Sequence, residues 1–296
     1  MAQSVHDLQR RAEAIAVPLP PLLIAAQRIA ASVLQGDHGR RQPGSGETFW
    51  QFRGYQPTDS VSLIDWRQSA KSQRVYVREQ EWEASQSVWL WCDQSPSMNY
   101  QSDEVPEPKV VRAKLLLLAI ATLLLRAGEQ VGLLEHGGKP MRGVSALPRL
   151  AEAITGQNET ADSSTPPRIS LSRYAQVVLI SDFLVSPDEL QSVIQWFAGQ
   201  GLVGHLIQTF DPAEETLPFV GRARFTGLEG DGEAVIGRVE TIRADYSKQL
   251  AAHRENLSDI ARRMGWTFLT HRTDHSPATA LLSIYLMLSG SLGRLI

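Results

Sequence analysis

The sequence has little cysteine and little excess charge, and each shortage excludes a class of protein. Cys92 is the one cysteine among 296 residues, so no disulfide can form within the chain, and the reducing cytoplasm is the expected location. The 29 Lys and Arg residues nearly balance the 32 Asp and Glu residues, which leaves a net charge of -3. A nucleic-acid-binding domain usually carries a strongly basic surface, so we expect no nucleic-acid partner.

Long apolar runs are missing as well. The runs "LLLLAIATLLL" at 115–125 and "ALLSIYLML" at 280–288 reach only about half of the roughly 20 residues that cross a bilayer. Near the N-terminus, prolines at 18, 20 and 21 interrupt the apolar stretch, whereas a secretory signal has a continuous apolar centre. We therefore expect two buried helices and no transmembrane segment.

After residue 86 the chain alternates regularly between short apolar strands and helices. The clearest strands are "SVWLWCD" at 87–93, "AQVVLISD" at 175–182 and "GLVGHLIQTF" at 201–210. This alternation predicts an α/β fold with a doubly wound, mostly parallel sheet. "KPMRGV" follows "QVGLLEH" after two residues, a link too short for a parallel crossover, so we expect an antiparallel edge strand there.

The departures from this alternation predict the domain organisation. Residues 1–45 predict an N-terminal helical segment that ends in a loop rich in Gly and charge. Residues 46–85 are rich in aromatic and β-branched residues and predict a small β-rich side lobe. Residues 86–296 hold the α/β domain, and within it residues 211–245 alternate around the turn-prone "EGDG" and predict an inserted β-hairpin.

The stretch "WLWCDQSPSM" at 89–98 carries the candidate site. Asp93, Ser95 and Ser97 occupy alternate positions directly after the first strand of the predicted sheet, at the end where doubly wound folds bind ligands. Asp182 ends another predicted strand. Oxygen ligands suit Mg²⁺ or Mn²⁺, and two acids with two hydroxyls leave room for a further carboxylate from a partner protein. We therefore expect a metal site made of these four residues.

Other uses of the same residues stay open. Ser95 and Ser97 could cap a helix, and Asp182 could lie at a helix start, where the dipole favours an acid. The acids could also serve a metal-dependent hydrolase acting on phosphoesters, although two-metal chemistry uses more acids than these strand ends supply. The chain has neither a nucleophile elbow nor a phosphate-binding G-x-x-x-x-G-K-[ST] loop, so we expect no enzymatic activity. His205 and His271, in predicted strands, are expected to be structural.

Two resemblances add to this interpretation. The D-x-S-x-S motif at 93–97, followed by "ISD" at 180–182, resembles the metal-ion-dependent adhesion site of von Willebrand factor type A domains. "GSGETFWQFRGYQPTDSVSLIDWRQSAKSQRVYVREQEWE" at 44–83 is similar to the bacterial domain of unknown function family 58. The positions that match this family are Arg53, Tyr55, Pro57, Asp59, Ile64, Asp65, Trp66, Arg67 and Ala70.

The resemblance implies a von Willebrand factor type A-like core whose side lobe combines the 48–83 segment with the inserted hairpin. It also implies association with a MoxR-type AAA+ ATPase in chaperoning, complex assembly or metal insertion. An adhesion-site threonine should precede Asp182, and Thr160 and Thr165 are the candidates. Residues of the side-lobe segment are candidates for a partner-binding surface or for packing between lobe and core, and Asp65 could pair with Arg67: Arg53, Tyr55, Asp59, Asp65, Trp66 and Arg67.

The leading hypothesis is a non-enzymatic protein-binding module that holds Mg²⁺ (or Mn²⁺) and recruits a carboxylate of a partner or client protein. Two alternatives remain: a metal-dependent phosphoesterase, and a scaffold in which the metal site is vestigial and the β-rich lobe carries the binding.

Overall fold

The structure, a computed structural model, describes residues 7, 10–11, 43–44, 48–56, 64–71, 74–81, 87–156, 164–173, 175–230 and 232–292. The chain divides into two compact units, one of residues 1–24 and 86–295 and the other of residues 25–85 with 296. In the predicted N-terminal helical segment, Asp7, Arg10 and Arg11 are helical, and almost all of the rest lies outside the described residues. The domain boundaries given above stay predictions.

The described chain forms the following helices and strands in chain order. They are β1 (Pro43–Gly44), β2 (Thr48–Gly54), α1 (Trp66–Ser69), β3 (Tyr76–Glu81), β4 (Ser87–Cys92), α2 (Lys109–Arg126), β5 (Gln130–Leu133), β6 (Met141–Arg142), α3 (Leu147–Thr155), β7 (Gln176–Ser181), α4 (Pro187–Ala198), β8 (Val203–Phe210), α5 (Pro212–Thr216), β9 (Ala223–Thr226), β10 (Glu233–Ile236), α6 (Arg243–Arg263), β11 (Thr267–Arg272) and α7 (Pro277–Leu292).

The smaller unit contains a three-stranded antiparallel sheet with the order β1-β3-β2, and β2 and β3 lie within residues 46–85. Helix α1 lies between β2 and β3 in the chain. Asp65 caps this helix, because its Oδ1 accepts a hydrogen bond of 2.8 Å from the backbone N–H of Gln68. Among the described residues no salt bridge joins Asp65 to Arg67, so the suggested ion pair is replaced by a helix cap.

The larger unit is built on a six-stranded sheet with the order β11-β8-β7-β4-β5-β6. Neighbouring strands are parallel except β5 and β6, which are antiparallel. The predicted doubly wound, mostly parallel α/β fold and its antiparallel edge strand are both confirmed. None of the helices that the structure describes is long and apolar enough to span a bilayer.

The central strands are buried on both faces, which explains their nearly continuous apolar sequences. In β4, Leu90 and Cys92 belong to one hydrophobic cluster, whereas Trp89 and Trp91 belong to the other, because successive side chains of a strand lie on opposite faces. Helices α2, α3 and α7 complete the first cluster, and α4 and α6 complete the second.

The direction in which strands are added reverses between β4 and β7. After β4 the chain adds β5 on one side, and β7 is followed by β8 on the other side. The loops after β4 and β7 therefore leave the same edge of the sheet in opposite directions, and doubly wound folds bind their ligands at this switch point.

The inserted segment 211–245 holds both a helix and a hairpin. β9 and β10 pair antiparallel and form a hairpin, with Thr226 opposite Glu233. The segment also contains α5, because Asp211 and Glu214 form a capping box with a proline in the first turn of the helix. Whether the hairpin joins the side lobe stays a prediction.

Candidate functional site

Asp93 lies immediately after β4 and is fully buried. Its backbone N–H donates to the carbonyl of Ile180 at 2.9 Å, which keeps it attached to β7. Its carboxylate accepts two hydrogen bonds, from the backbone N–H of Ser95 at 2.8 Å and from the hydroxyl of Ser181 at 2.6 Å. The turn after β4 is thus fixed by the acid that begins the motif.

Ser95 and Ser97 bring two hydroxyls together next to this acid. Their Oγ atoms are 3.1 Å apart, and both residues are buried. Ser95 precedes a short 3-10 helix, Pro96–Asn99, but its side chain makes no capping hydrogen bond. The capping interpretation of Ser95 is therefore wrong; its hydroxyl pairs with that of Ser97 and also interacts with the carboxylate of Asp93.

Asp182 follows β7 directly, at the same edge of the sheet. Its Oδ1 accepts a hydrogen bond of 3.2 Å from the N–H of Leu184, and its backbone carbonyl accepts one of 2.9 Å from Gln208. It does not start a helix, because Ser186 caps α4, so the helix-start interpretation of Asp182 is also wrong. The next residue, Phe183, has φ of 52°, a strained conformation that is commoner at functional sites than elsewhere.

Lys109, the first residue of α2, contacts Asp182 and was missed by the sequence interpretation. Its ammonium donates to Oδ2 of Asp182 at 2.8 Å and to Oε1 of Glu214 at 2.5 Å. Burial lowers the pKa of Lys109, but the two carboxylates outweigh burial and raise its pKa above the ordinary value. A signal was present in the sequence, since the positive end of a helix dipole disfavours a lysine in the first turn.

Glu214 belongs to the short helix α5 and closes this network. Its second carboxylate oxygen accepts a hydrogen bond of 2.7 Å from the N–H of Asp211, and its backbone carbonyl accepts the hydroxyl of Tyr246. Burial raises the pKa of Glu214 more than the ammonium of Lys109 lowers it.

Glu229, in the loop of the β9–β10 hairpin, contacts the motif at Ser97. Its Oε1 accepts a hydrogen bond of 3.2 Å from the backbone N–H of Ser97, although the two residues are 132 positions apart in sequence. The sequence interpretation treated "EGDG" only as a turn, and no local pattern distinguishes this acid from an ordinary turn residue.

The site contains more negative than positive charge. Asp93, Asp182 and Glu214 supply three carboxylates, and Lys109 supplies one ammonium. Burial raises the pKa of Asp93 above 3.8, the hydrogen bonds from Ser181 and Ser95 lower it, and the charge of Asp182 raises it further. With all three acids ionised, the network has two negative charges in excess.

The separation of the two serine hydroxyls suits a divalent cation. Two ligands at right angles around an octahedral Mg²⁺ lie about 2.9 Å apart, which is close to the separation of the two serine hydroxyls. When all three acids are ionised, the excess of two negative charges would also suit a divalent ion. In the part of the chain that is described, no three His, Cys, Asp or Glu side chains group as a metal cluster, so a cation here would depend on the hydroxyls. The residues present fit such an ion only in part, because Asp93, Ser95 and Ser97 offer oxygen donors, whereas both carboxylate oxygens of Asp182 already accept hydrogen bonds, from Lys109 and Leu184.

The remaining predicted residues are distributed between the two units. Thr165 is half-buried in the loop before β7, and its role as a ligand stays a prediction, whereas Thr160 lies outside the described residues. In the smaller unit, Trp66 is 64% exposed and Tyr55 is half-buried. Asp59 and the side chain of Arg53 are outside the described part. The partner-binding role of these residues and of Asp65 and Arg67 stays a prediction.

Comparisons with known proteins give one family and several relatives. The family described as "Protein of unknown function DUF58" matches residues 51–256. An uncharacterized protein of Mycobacterium tuberculosis is 26% identical over 276 residues, covering 88% of this chain and 85% of that protein.

Two solved structures are also similar. An aerotolerance-related membrane protein from Bacteroides fragilis is 16% identical with a TM-score of 0.41, covering 69% of this chain and 99% of that chain. The conserved hypothetical protein BatB from Bacteroides thetaiotaomicron is 15% identical with a TM-score of 0.37, covering 70% of this chain and 99% of that chain.

Proposed function

Because the chain belongs to the family described as protein of unknown function DUF58, whose description assigns no activity, we propose a function from the site itself. The chain is a non-enzymatic protein-binding module. Asp93, Ser95, Ser97 and Asp182 hold Mg²⁺ or Mn²⁺ and present it to an acidic side chain of a partner protein.

The observation that carries the proposal is the pair of hydroxyls beside Asp93. The two hydroxyls lie 3.1 Å apart in a buried turn, and the Ser95 side chain makes no capping hydrogen bond, which supports a role as ligands. They lie at the switch point of the sheet, where this fold class binds ligands. The carboxylates of Asp93 and Asp182, which interact electrostatically, favour a cation over a neutral molecule.

Each residue of the site has a definable task in this account. Asp93 fixes the turn through Ser95 and Ser181, so that the hydroxyls are held in place before any ligand arrives. Lys109 holds Asp182 in position and neutralises part of its charge. When bound, the divalent ion would supply positive charge and an open coordination position for an incoming carboxylate.

For the partner we propose a MoxR-type AAA+ ATPase, with a role in chaperoning or complex assembly in the cytoplasm. The support for this partner is the family resemblance, together with the chemistry of the site, which suits an acidic side chain. A client protein with an exposed carboxylate would satisfy the same chemistry.

One observation favours a second candidate function. Lys109 already places a positive charge on Asp182, and a built-in cation of this kind suits a metal-independent scaffold whose adhesion site is vestigial. The two functions differ in whether a divalent ion changes partner binding.

The test is a calorimetric titration of Mg²⁺ and Mn²⁺ into the wild type, Asp93→Ala and Asp188→Ala. Asp188 is an exposed acid on α4 and serves as the matched control. We expect binding by the wild type and the control and none by Asp93→Ala. Equal uptake by all three proteins would remove the metal site from the account.

Capture of a purified MoxR-type ATPase, with Mg²⁺ or with EDTA, then tests the partner. The adhesion function predicts capture only with Mg²⁺ and none by Asp93→Ala. Equal capture in EDTA would select the metal-independent scaffold, and no capture in either condition would exclude this ATPase as the partner.

A further inference from the structure

Glu229 places a carboxylate of the chain itself beside the candidate metal site, at the backbone N–H of Ser97. Its Oε1 lies 3.2 Å from the backbone N of Ser97, the residue whose hydroxyl is paired with that of Ser95. Glu229 is exposed, whereas Ser97 is only 7% exposed. The acid therefore approaches the motif from the solvent side, the direction from which a partner would come.

The contact uses the same chemical group, a carboxylate, that the proposed function assigns to the partner. The first N–H groups of a helix have no partner within the helix, and the N–H of Ser97 is such a donor at the start of the 3-10 helix. A carboxylate is its strongest natural acceptor. A carboxylate that binds between this N–H and the serine hydroxyls would meet Glu229 in the same position.

The β9–β10 hairpin, whose loop contains Glu229, has no strand pairing with the described part of the main sheet. Among the described strands, β9 and β10 pair only with each other, and a two-stranded hairpin has marginal stability by itself. Its base is held by an edge-to-face contact of Phe219 with Phe225 and by the hydrogen bond from Val239 to Gly221. Displacement of the hairpin loop from Ser97 would therefore break no strand pairing of the described part of the main sheet.

We propose that Glu229 is an internal occupant of the carboxylate position, and that a partner's acidic side chain binds by displacing it. The inference rests on the proposed function, because it concerns the position that the partner's carboxylate would take. It assigns the hairpin a specific task, which is to compete with weak or incorrect acidic ligands.

The experiment uses the full chain with Mn²⁺ as the metal and acetate as the carboxylate probe. Paramagnetic relaxation of the acetate methyl protons, at equal concentrations of bound Mn²⁺, reports how much acetate reaches the ion. The proteins are the wild type, Glu229→Gln, Glu229→Ala and the control Glu233→Gln, which removes the same charge from an exposed residue of the same hairpin. In parallel, amide hydrogen exchange at Ser97 is measured without metal.

We expect both Glu229 variants to bind acetate about tenfold more tightly than the wild type and the control, which corresponds to about 1.4 kcal/mol of competition removed. The amide of Ser97 should exchange faster in Glu229→Ala and at the wild-type rate in Glu233→Gln. Equal acetate relaxation in four proteins that all bind Mn²⁺ would overturn this inference alone. Failure of all four to bind Mn²⁺ would overturn the proposed function, and this inference with it.

Discussion

The ammonium of Lys109 lies 2.8 Å from Oδ2 of Asp182, and the two side chains are 0% and 5% exposed. This ion pair joins the first residue of α2 to the residue after β7, two points 73 positions apart in the chain. A buried pair gains little net stability when formed, but removing one partner leaves the other charge uncompensated. The pair therefore makes the geometry of the site dependent on α2.

Replacement of Lys109 by Met should destabilise the chain strongly. Asp182 and Glu214 would lose their cation in a buried place, for which the usual cost is about 3–5 kcal/mol. Urea unfolding measures the change. The exposed Lys248 of α6 gives the control Lys248→Met, which should stay within about 0.5 kcal/mol of the wild type.

The double variant Lys109→Met/Asp182→Asn should recover part of the stability lost in Lys109→Met, because it removes the uncompensated acid. A double variant that is less stable than the single one would show that Asp182 contributes through contacts other than this ion pair.

Replacement of Asp93 by Asn should stabilise the metal-free chain while abolishing metal binding. Burial raises the pKa of Asp93 above 3.8, so the folded chain holds this proton more tightly than the unfolded chain. Stability is therefore lost as pH rises from 3.8 through the raised pKa of Asp93 in the folded chain, and the loss persists at pH 7. In EDTA at pH 7 we expect a gain of about 0.5–2 kcal/mol, measured by urea unfolding.

With Mg²⁺ present, the wild type should become more stable and Asp93→Asn should not. The exposed variant Asp188→Asn is the control and should behave as the wild type does in both conditions. A loss of stability for Asp93→Asn in EDTA would mean that the charged form of the acid is required by the fold itself.

The pKa of His205 predicts how the stability of the fold changes as pH falls. Burial lowers its pKa from 6.5 to about 4, and the ring hydrogen-bonds with Thr267 and Gln176. Between these two pH values His205 binds a proton in the unfolded chain but not in the folded chain, so stability is lost as pH falls from 6.5 to about 4. We expect His205 to account for about 2–3 kcal/mol of this loss by pH 4.

Urea unfolding at several pH values checks this prediction. His205→Gln should make stability less dependent on pH, whereas His275→Gln, at an exposed histidine, should leave the dependence unchanged. His271 is buried with a similarly lowered pKa, so some dependence should remain. An unchanged slope in His205→Gln would assign the acid sensitivity to other groups.

The sequence alone predicted the parts of the site that are local in the chain. Asp93, Ser95 and Ser97 are within five residues of one another and follow a strongly apolar strand. Their proximity could therefore be predicted without knowledge of the tertiary structure. Asp182 could be added because parallel strands end at the same edge of a sheet.

The residues that were missed make contacts between distant parts of the chain. Lys109 meets Glu214 across 105 positions, and Glu229 meets Ser97 across 132. Such pairs depend on how α2, α5 and the hairpin pack, which no local pattern encodes. The capping interpretations failed because a hydroxyl or acid near a helix start satisfies the sequence pattern of a cap whether or not it makes the capping hydrogen bond.

A substitution of Gly204 tests how closely Trp266 packs against β8. A Cβ at this position of β8 would lie 2.2 Å from the ring of Trp266, so Gly204→Ala must displace a buried indole. We expect a loss of about 1–3 kcal/mol by thermal or urea unfolding. Gly237→Ala, where nothing lies within 4 Å of the added Cβ, is the control and should be nearly neutral. Equal effects of the two changes would contradict this packing of Trp266.

The central claim is that the turn after β4 holds a divalent cation, and an anomalous difference map from crystals grown with Mn²⁺ tests it most directly. The account predicts one peak about 2.1 Å from the Oγ atoms of Ser95 and Ser97, beside Asp93 and Asp182, and no such peak in crystals of Asp93→Ala. A map with no peak at these hydroxyls, at a Mn²⁺ concentration that saturates other sites in the crystal, would contradict the account.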